Sequence, residues 1–113
     1  MNMSKSRLEK LERMLLAEPD DPFLRYSRAM ELDKIGRHDD GIAAFSALLE
    51  DAPSYVPAYF MAGQLLARLG RRDEASDYLL RGIDQARQSG DAHAVDEMTQ
   101  FLDSLKTIDT DRG

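Results

Sequence analysis

His38 and His93 are the two side chains of this sequence whose ordinary pKa suits acid–base work near neutral pH. His38 is followed directly by Asp39 and Asp40, residue types that bind divalent cations. Consecutive residues at a helix start point in different directions, however, so these three do not converge on one ion. No second histidine stands at a ligating spacing, and the chain has no cysteine, so neither a zinc set nor a thiolate nor a disulfide framework can be assembled. The closing "DTDRG" begins like a calcium loop but lacks the remaining oxygen ligands. Ser27, Ser46 and Ser76 have no histidine placed to activate them, and no glycine-rich strand-to-helix turn is present to hold a phosphate. These residues predict no enzyme, no metal and no cofactor. The function must be sought in a surface.

The charge distribution narrows which surface. The 113-residue chain is 42% hydrophobic and 32% charged, ordinary for one globular domain. Its net charge is −6, which repels phosphate backbones and predicts that it does not bind nucleic acid. Residues 1–17 carry four basic and two acidic groups, whereas residues 18–51 carry four basic and nine acidic ones. From Asp91 onward six carboxylates face Lys106 and Arg112. No apolar run is long enough to cross a bilayer, so no membrane association is predicted. The opening "MNMSKSRLEKLERMLL" carries charge throughout, unlike a signal peptide, and a cytoplasmic location is expected.

The elements that carry these charges are helices. β-Branched residues are few and nothing alternates with period two. Leu8, Leu11, Met14 and Leu15 form a stripe at three- and four-residue spacing, which predicts a helix over 5–17. Pro19 and Pro22 interrupt, with Asp20 or Asp21 able to cap the next helix. Further helices are predicted over 22–35, stopped by Gly36; 39–50, stopped at Pro53; 54–69, stopped by Gly70; 72–88; and 91–106. The last helix places Val95, Met98, Phe101, Leu102 and Leu105 on one stripe. Residues 108–113 carry too little apolar content to pack and are expected to fray. Connections this short make successive helices antiparallel neighbours, so the fold class is all-α, a row of about six helices paired as hairpins in a single domain spanning 1–107.

The row repeats. "GRHDD" at Gly36 returns as "GRRDE" at Gly70, 34 residues later. The same step relates Gly41 to Ala75 and Phe45 to Leu79. Backwards, it relates Pro53 to Pro19, Leu49 to Leu15, Leu48 to Met14 and Phe45 to Leu11.

This period and this pattern of small and large residues resemble the tetratricopeptide repeat family. Ala29 and Leu32, then Gly41, Phe45 and Pro53, match one repeat, about 22–55. Tyr59, Ala62, Gly63 and Leu66, then Ala75 and Leu79, match the next, about 56–89. Arg25, Arg28 and Arg87 depart from the pattern, standing where it has an aromatic residue, an apolar residue and the closing proline. The helix over 5–17 reads as an orphan second helix and that over 91–106 as a cap. Ala29, Gly63, Gly41 and Ala75 let helices cross closely, while Gly36 and Gly70 end helices in a left-handed turn. Gly82 in mid-helix implies close packing of the last helix.

The resemblance implies a short right-handed solenoid whose first helices line a concave face. The family's ligand-facing positions fall on Phe23, Tyr26, Met30, Asp33 and Lys34, then on Pro57, Phe60, Gln64, Ala67 and Arg68. Ala94 and Met98 would continue the wall. The implied function is a non-catalytic protein–protein interaction module, or scaffold, that binds a peptide or protein segment through Phe23, Tyr26, Met30, Lys34, Phe60, Gln64, Arg68 and Met98. The alternative is a homodimer sealed through the same apolar strip. Family members that clamp a terminal carboxylate use lysine and asparagine where this chain has Tyr26, Met30, Phe60 and Gln64, so that mode is not expected.

Overall fold

The computed structural model describes the backbone of residues 3–112 and the side chains of residues 6–106. Six helices occur among the described residues: α1 (Met3–Ala17), α2 (Pro22–Lys34), α3 (His38–Asp51), α4 (Val56–Arg68), α5 (Arg72–Ser89) and α6 (Ala92–Arg112), with no strand. The fold is all-α. Boundaries fall within a residue or two of the expected ones, except at the end of the chain. There α6 extends to Arg112, past the expected end at 106, with neither proline nor glycine between Lys106 and Arg112 to stop it.

The punctuation is local chemistry. Asp21 caps α2 by accepting the Leu24 N–H at 3.0 Å, and Pro22 occupies the first turn, where no amide donor is missed. Asp91 does the same for α6 by accepting the Ala94 N–H at 3.0 Å. Gly36 and Gly70 adopt φ of 91° and 78°, and the following amides, Arg37 and Arg71, return to the carbonyls of Leu32 and Leu66 at 2.9 Å. That is the left-handed glycine cap, repeated. Each cap is followed by a clasp: Arg37 Nε donates to Asp40 Oδ2 at 2.8 Å, and Arg71 donates to both carboxylate oxygens of Glu74 at 2.8 Å. The carboxylates sit in the first turns of α3 and α5, where a helix end favours negative charge. Arg71 thereby holds the Glu74 carboxyl below its usual range.

The chain divides into two compact units, residues 1–58 and 59–113. In the first, α2 packs against both α1 and α3. Its buried residues include Leu8, Leu24, Leu32, Phe45, Leu48 and Leu49, and burying each large apolar side chain contributes roughly 1.5–3 kcal/mol. Ala29 is fully buried where α2 crosses α3, and a Cβ on Gly41 would lie 3.1 Å from the Ala29 carbonyl oxygen. Arg25 and Arg28, the departures from the repeat pattern, line a small hollow with Ala44 and Ala47, and each pairs with a carboxylate of a neighbouring helix. Arg25 Nη1 donates to Asp51 Oδ2 at 2.8 Å, joining α2 to the end of α3. Arg28 Nε donates to Glu12 Oε2 at 3.1 Å, joining α2 to α1.

In the second unit α5 packs against α6, and α4 meets α5 through two glycines. A Cβ on Gly63 would touch Leu79 at 2.9 Å. One on Gly82 would meet Tyr59 Cβ at 2.5 Å and Met98 Sδ at 2.7 Å. Close packing at Gly82 therefore involves α4 as well as the expected α6. Tyr59, Leu65, Leu66, Ala75, Leu79 and Ala86 are almost wholly buried here, and Arg81 lies over the rings of Tyr59 and Tyr78 at 5.6 and 5.1 Å.

Candidate functional site

In the first unit the expected contact residues occupy α2. Phe23 stands at its start with 63% of its surface exposed. Tyr26, one turn on, is half-buried between Tyr55 and Phe45, with ring centroids 5.5 and 6.2 Å away in tilted arrangements. Burial first, and then the neighbouring Tyr55 hydroxyl, push the Tyr26 phenol above its ordinary pKa. Tyr55 is raised by burial and then by the Asp21 carboxylate. Met30 is partly exposed and Lys34 exposed at the end of the helix. The result is an aromatic cluster held in place by packing, with Phe23 open beside it. Tyr55 was not in the sequence-derived set; it precedes α4 in a loop, where the repeat pattern assigns nothing.

The second unit treats its candidates differently. Phe60 on α4 is half-buried with its ring 6.0 Å from Phe101 of α6 in an edge-on arrangement. Gln64 is partly exposed and Arg68 exposed. Met98, expected as part of an accessible wall, is instead wholly buried, its sulfur seated against Gly82. The absence of a side chain at Gly82 draws Met98 inward, and Phe101, one turn on, takes the place beside Phe60.

The chemistry-bearing residues do not come together. His38 Nδ1 lies 2.7 Å from Asp33 Oδ1, a link between α2 and the start of α3. His93 Nε2 lies 3.2 Å from Glu97 on the same helix. Among the described residues no three His, Asp or Glu side chains gather as a metal site; the side chains of "DTDRG" lie outside the described residues. No helix of the described residues is long and apolar enough to cross a membrane.

The carriers of the 34-residue pattern stand where a repeat needs them. Ala29, Phe45, Tyr59, Ala75 and Leu79 are buried at 2% exposure or less. Gly36 and Gly70 have positive φ, Gly41 and Gly63 lie at close crossings, and Pro53 follows α3. Comparison with known proteins agrees. The profile of the tetratricopeptide repeat family matches residues 35–96. A solution structure of a tetratricopeptide repeat domain protein from Salinibacter ruber is 35% identical with a TM-score of 0.75, covering 79% of this chain and 90% of that one. A solution structure of a Bordetella parapertussis protein is 27% identical with a TM-score of 0.79, covering 96% of this chain and 91% of that one. The cytochrome c-type biogenesis protein CycH of Rhizobium meliloti is 34% identical over 59 residues, which are 52% of this chain and 16% of that much longer protein. The chain belongs to the tetratricopeptide repeat family.

Proposed function

We propose that this protein is a non-catalytic binding module that holds a segment of another protein on the ligand-facing side of α2, the first helix of its first full repeat. The observation that carries the reading is Phe23, an aromatic side chain 63% exposed on the first helix of a repeat. A ring this exposed adds little to the core, and large aromatic side chains are among the anchors that become buried where proteins meet. Tyr26 beside it is positioned by Tyr55 and Phe45, so little ordering is needed when a ligand arrives. Met30, partly exposed on the same helix, adds apolar surface. Lys34, exposed at the end of α2, favours a segment that carries carboxylates. Met98 takes no part, being buried.

The test compares wild type with Phe23→Glu in affinity capture from the native lysate, followed by mass spectrometry. Exposure at position 23 makes the variant fold normally by circular dichroism, and a partner captured by wild type should be lost. Retention of the same partner by folded Phe23→Glu rejects this face as the binding site. Sedimentation velocity on both proteins separates the alternative: a wild-type dimer that Phe23→Glu converts to monomer assigns the face to self-association.

A further inference from the structure

α1 and α3 occupy equivalent places in the 34-residue pattern but are not equally covered. Phe45, Leu48 and Leu49 of α3 are 1%, 0% and 2% exposed. Their counterparts on α1 are Leu11 and Leu15, both half-buried, and Met14, which is 45% exposed. The reason lies in the order of helices. α3 packs on α2, the first helix of its own repeat, whereas α1 packs on α2 as the first helix of the following one. The flank that α1 would turn to a first helix of its own stays open among the described residues. The opposite end of the chain is finished differently. α6 carries His93, Asp96, Glu97 and Gln100 at the steps corresponding to Tyr59, Ala62, Gly63 and Leu66, and all four are exposed. That face of α6 is polar throughout, whereas the open flank of α1 sets Leu11 and Met14 between Arg7 and Lys10.

The open flank also contains a misplaced charge. Between α1 and α2 lies a cleft of about 790 Å³ walled by Arg7, Lys10, Leu11, Met14, Glu31 and Lys34. Glu31 takes the place that Leu65 holds one repeat later, and like Leu65 it is buried, its side chain 6% exposed. Its Oε1 has no hydrogen-bond partner among the described residues. Its Oε2 has Arg7 Nε at 3.9 Å, longer than a hydrogen bond, and Arg7 itself is largely in solvent. A carboxylate taken out of water without a donor is costly, and a cationic donor brought to it offsets part of that cost.

We propose that the α1–α2 cleft is a second binding site, which seats one amphipathic helix from another protein in the place where a first helix would pack on α1. Its apolar stripe covers Leu11 and Met14, a lysine or arginine at the edge of that stripe donates to Glu31, and carboxylates on its flanks face Arg7, Lys10 and Lys34. A second copy of this chain fits poorly. The outer face of α6 is polar, and α1 laid on α1 would set Arg7 and Lys10 against their own copies. A helix is required rather than an extended strand because the surface it completes is a helix-packing surface, ridged by side chains at three- and four-residue intervals.

The probe is a synthetic amphipathic helix of about four turns, with leucines at i, i+3, i+4 and i+7, one lysine at the stripe edge and glutamates on both flanks. Its twin carries norleucine for the lysine. Each is titrated into the full ¹⁵N-labelled chain by NMR and measured by fluorescence anisotropy. The lysine probe should shift amides of α1 and α2 and bind about tenfold or more tighter than its twin, as a charge-assisted contact requires. Glu31→Leu should stay folded and reverse that order, favouring norleucine. Met14→Glu should abolish binding of both, with helicity unchanged. The proposal is overturned if neither probe binds at about 1 mM, if the shifts map elsewhere, or if wild type binds the twins equally. It is overturned also if sedimentation velocity shows a dimer that Met14→Glu dissolves, for the occupant is then a second copy.

Discussion

Gly82 and Tyr59 approach so closely that a Cβ on the glycine would stand 2.5 Å from the tyrosine Cβ. Neither atom can rotate away, since a Cβ is fixed by its backbone, so α4 and α5 would have to separate. In a helix interior alanine is normally favoured over glycine by about 1 kcal/mol. Here the clash should dominate, and Gly82→Ala should destabilise by about 1–3 kcal/mol. Gly63→Ala meets the Leu79 side chain, which can turn, and should be tolerated better. Thermal unfolding of the two variants orders them; a Gly82→Ala that melts at or above Gly63→Ala contradicts this packing.

Gly36 and Gly70 act through φ alone, because nothing lies within 4 Å of a Cβ built on either. Alanine at either position should lower stability by about 1 kcal/mol, the strain of a left-handed backbone. Urea unfolding should show similar losses at the two positions and an unchanged m-value. A loss at one alone would mean that the two caps are not equivalent.

The Arg28–Glu12 pair joins α2 to α1 near the surface, with side chains 34% and 45% exposed. Exposed pairs of this kind contribute about 0–1 kcal/mol and are screened by salt. A double-mutant cycle with Arg28→Ala and Glu12→Ala should give a coupling within that range, falling further in molar salt. A coupling well above it would mean that this arginine carries more of the α1–α2 contact than its exposure allows.

Alkaline pH should unfold the protein sooner than charge alone predicts. Tyr26, Tyr55 and Tyr59 are all raised above the ordinary tyrosine pKa by burial, although Arg81 opposes the shift at Tyr59. Above the unfolded value of about 10, the unfolded chain releases these protons while the folded chain keeps them, so stability falls as pH rises through that range. Below it the three phenols are neutral in both states and contribute no slope. Tyr26→Phe should make the decline above pH 10 shallower in chemical denaturation. An unchanged slope would show that Tyr26 ionises in the fold as readily as in the unfolded chain.

Sequence alone determined the helices, their ends apart from that of α6, and the period, because each rests on a local signal. Gly36 and Gly70 end helices by a backbone conformation that other residues enter at a cost, Asp21 caps by its own side chain, and the apolar stripes recur every three or four residues whatever lies opposite. The 34-residue step identified the small residues at crossings for the same reason. What a side chain meets across a crossing is not local, and there only the tertiary structure decided. Met98 looked like an exposed wall position until Gly82 drew it into the core. Gly41 and Ala75 are equivalent in the pattern, yet at Gly41 a Cβ would press on the backbone of α2. Arg25 and Arg28, which broke the pattern, found carboxylates on neighbouring helices. Glu31 stands one 34-residue step before Leu65, but its burial without a close donor follows from the packing of α1 on α2. Its unpaired oxygen becomes visible only where those helices meet.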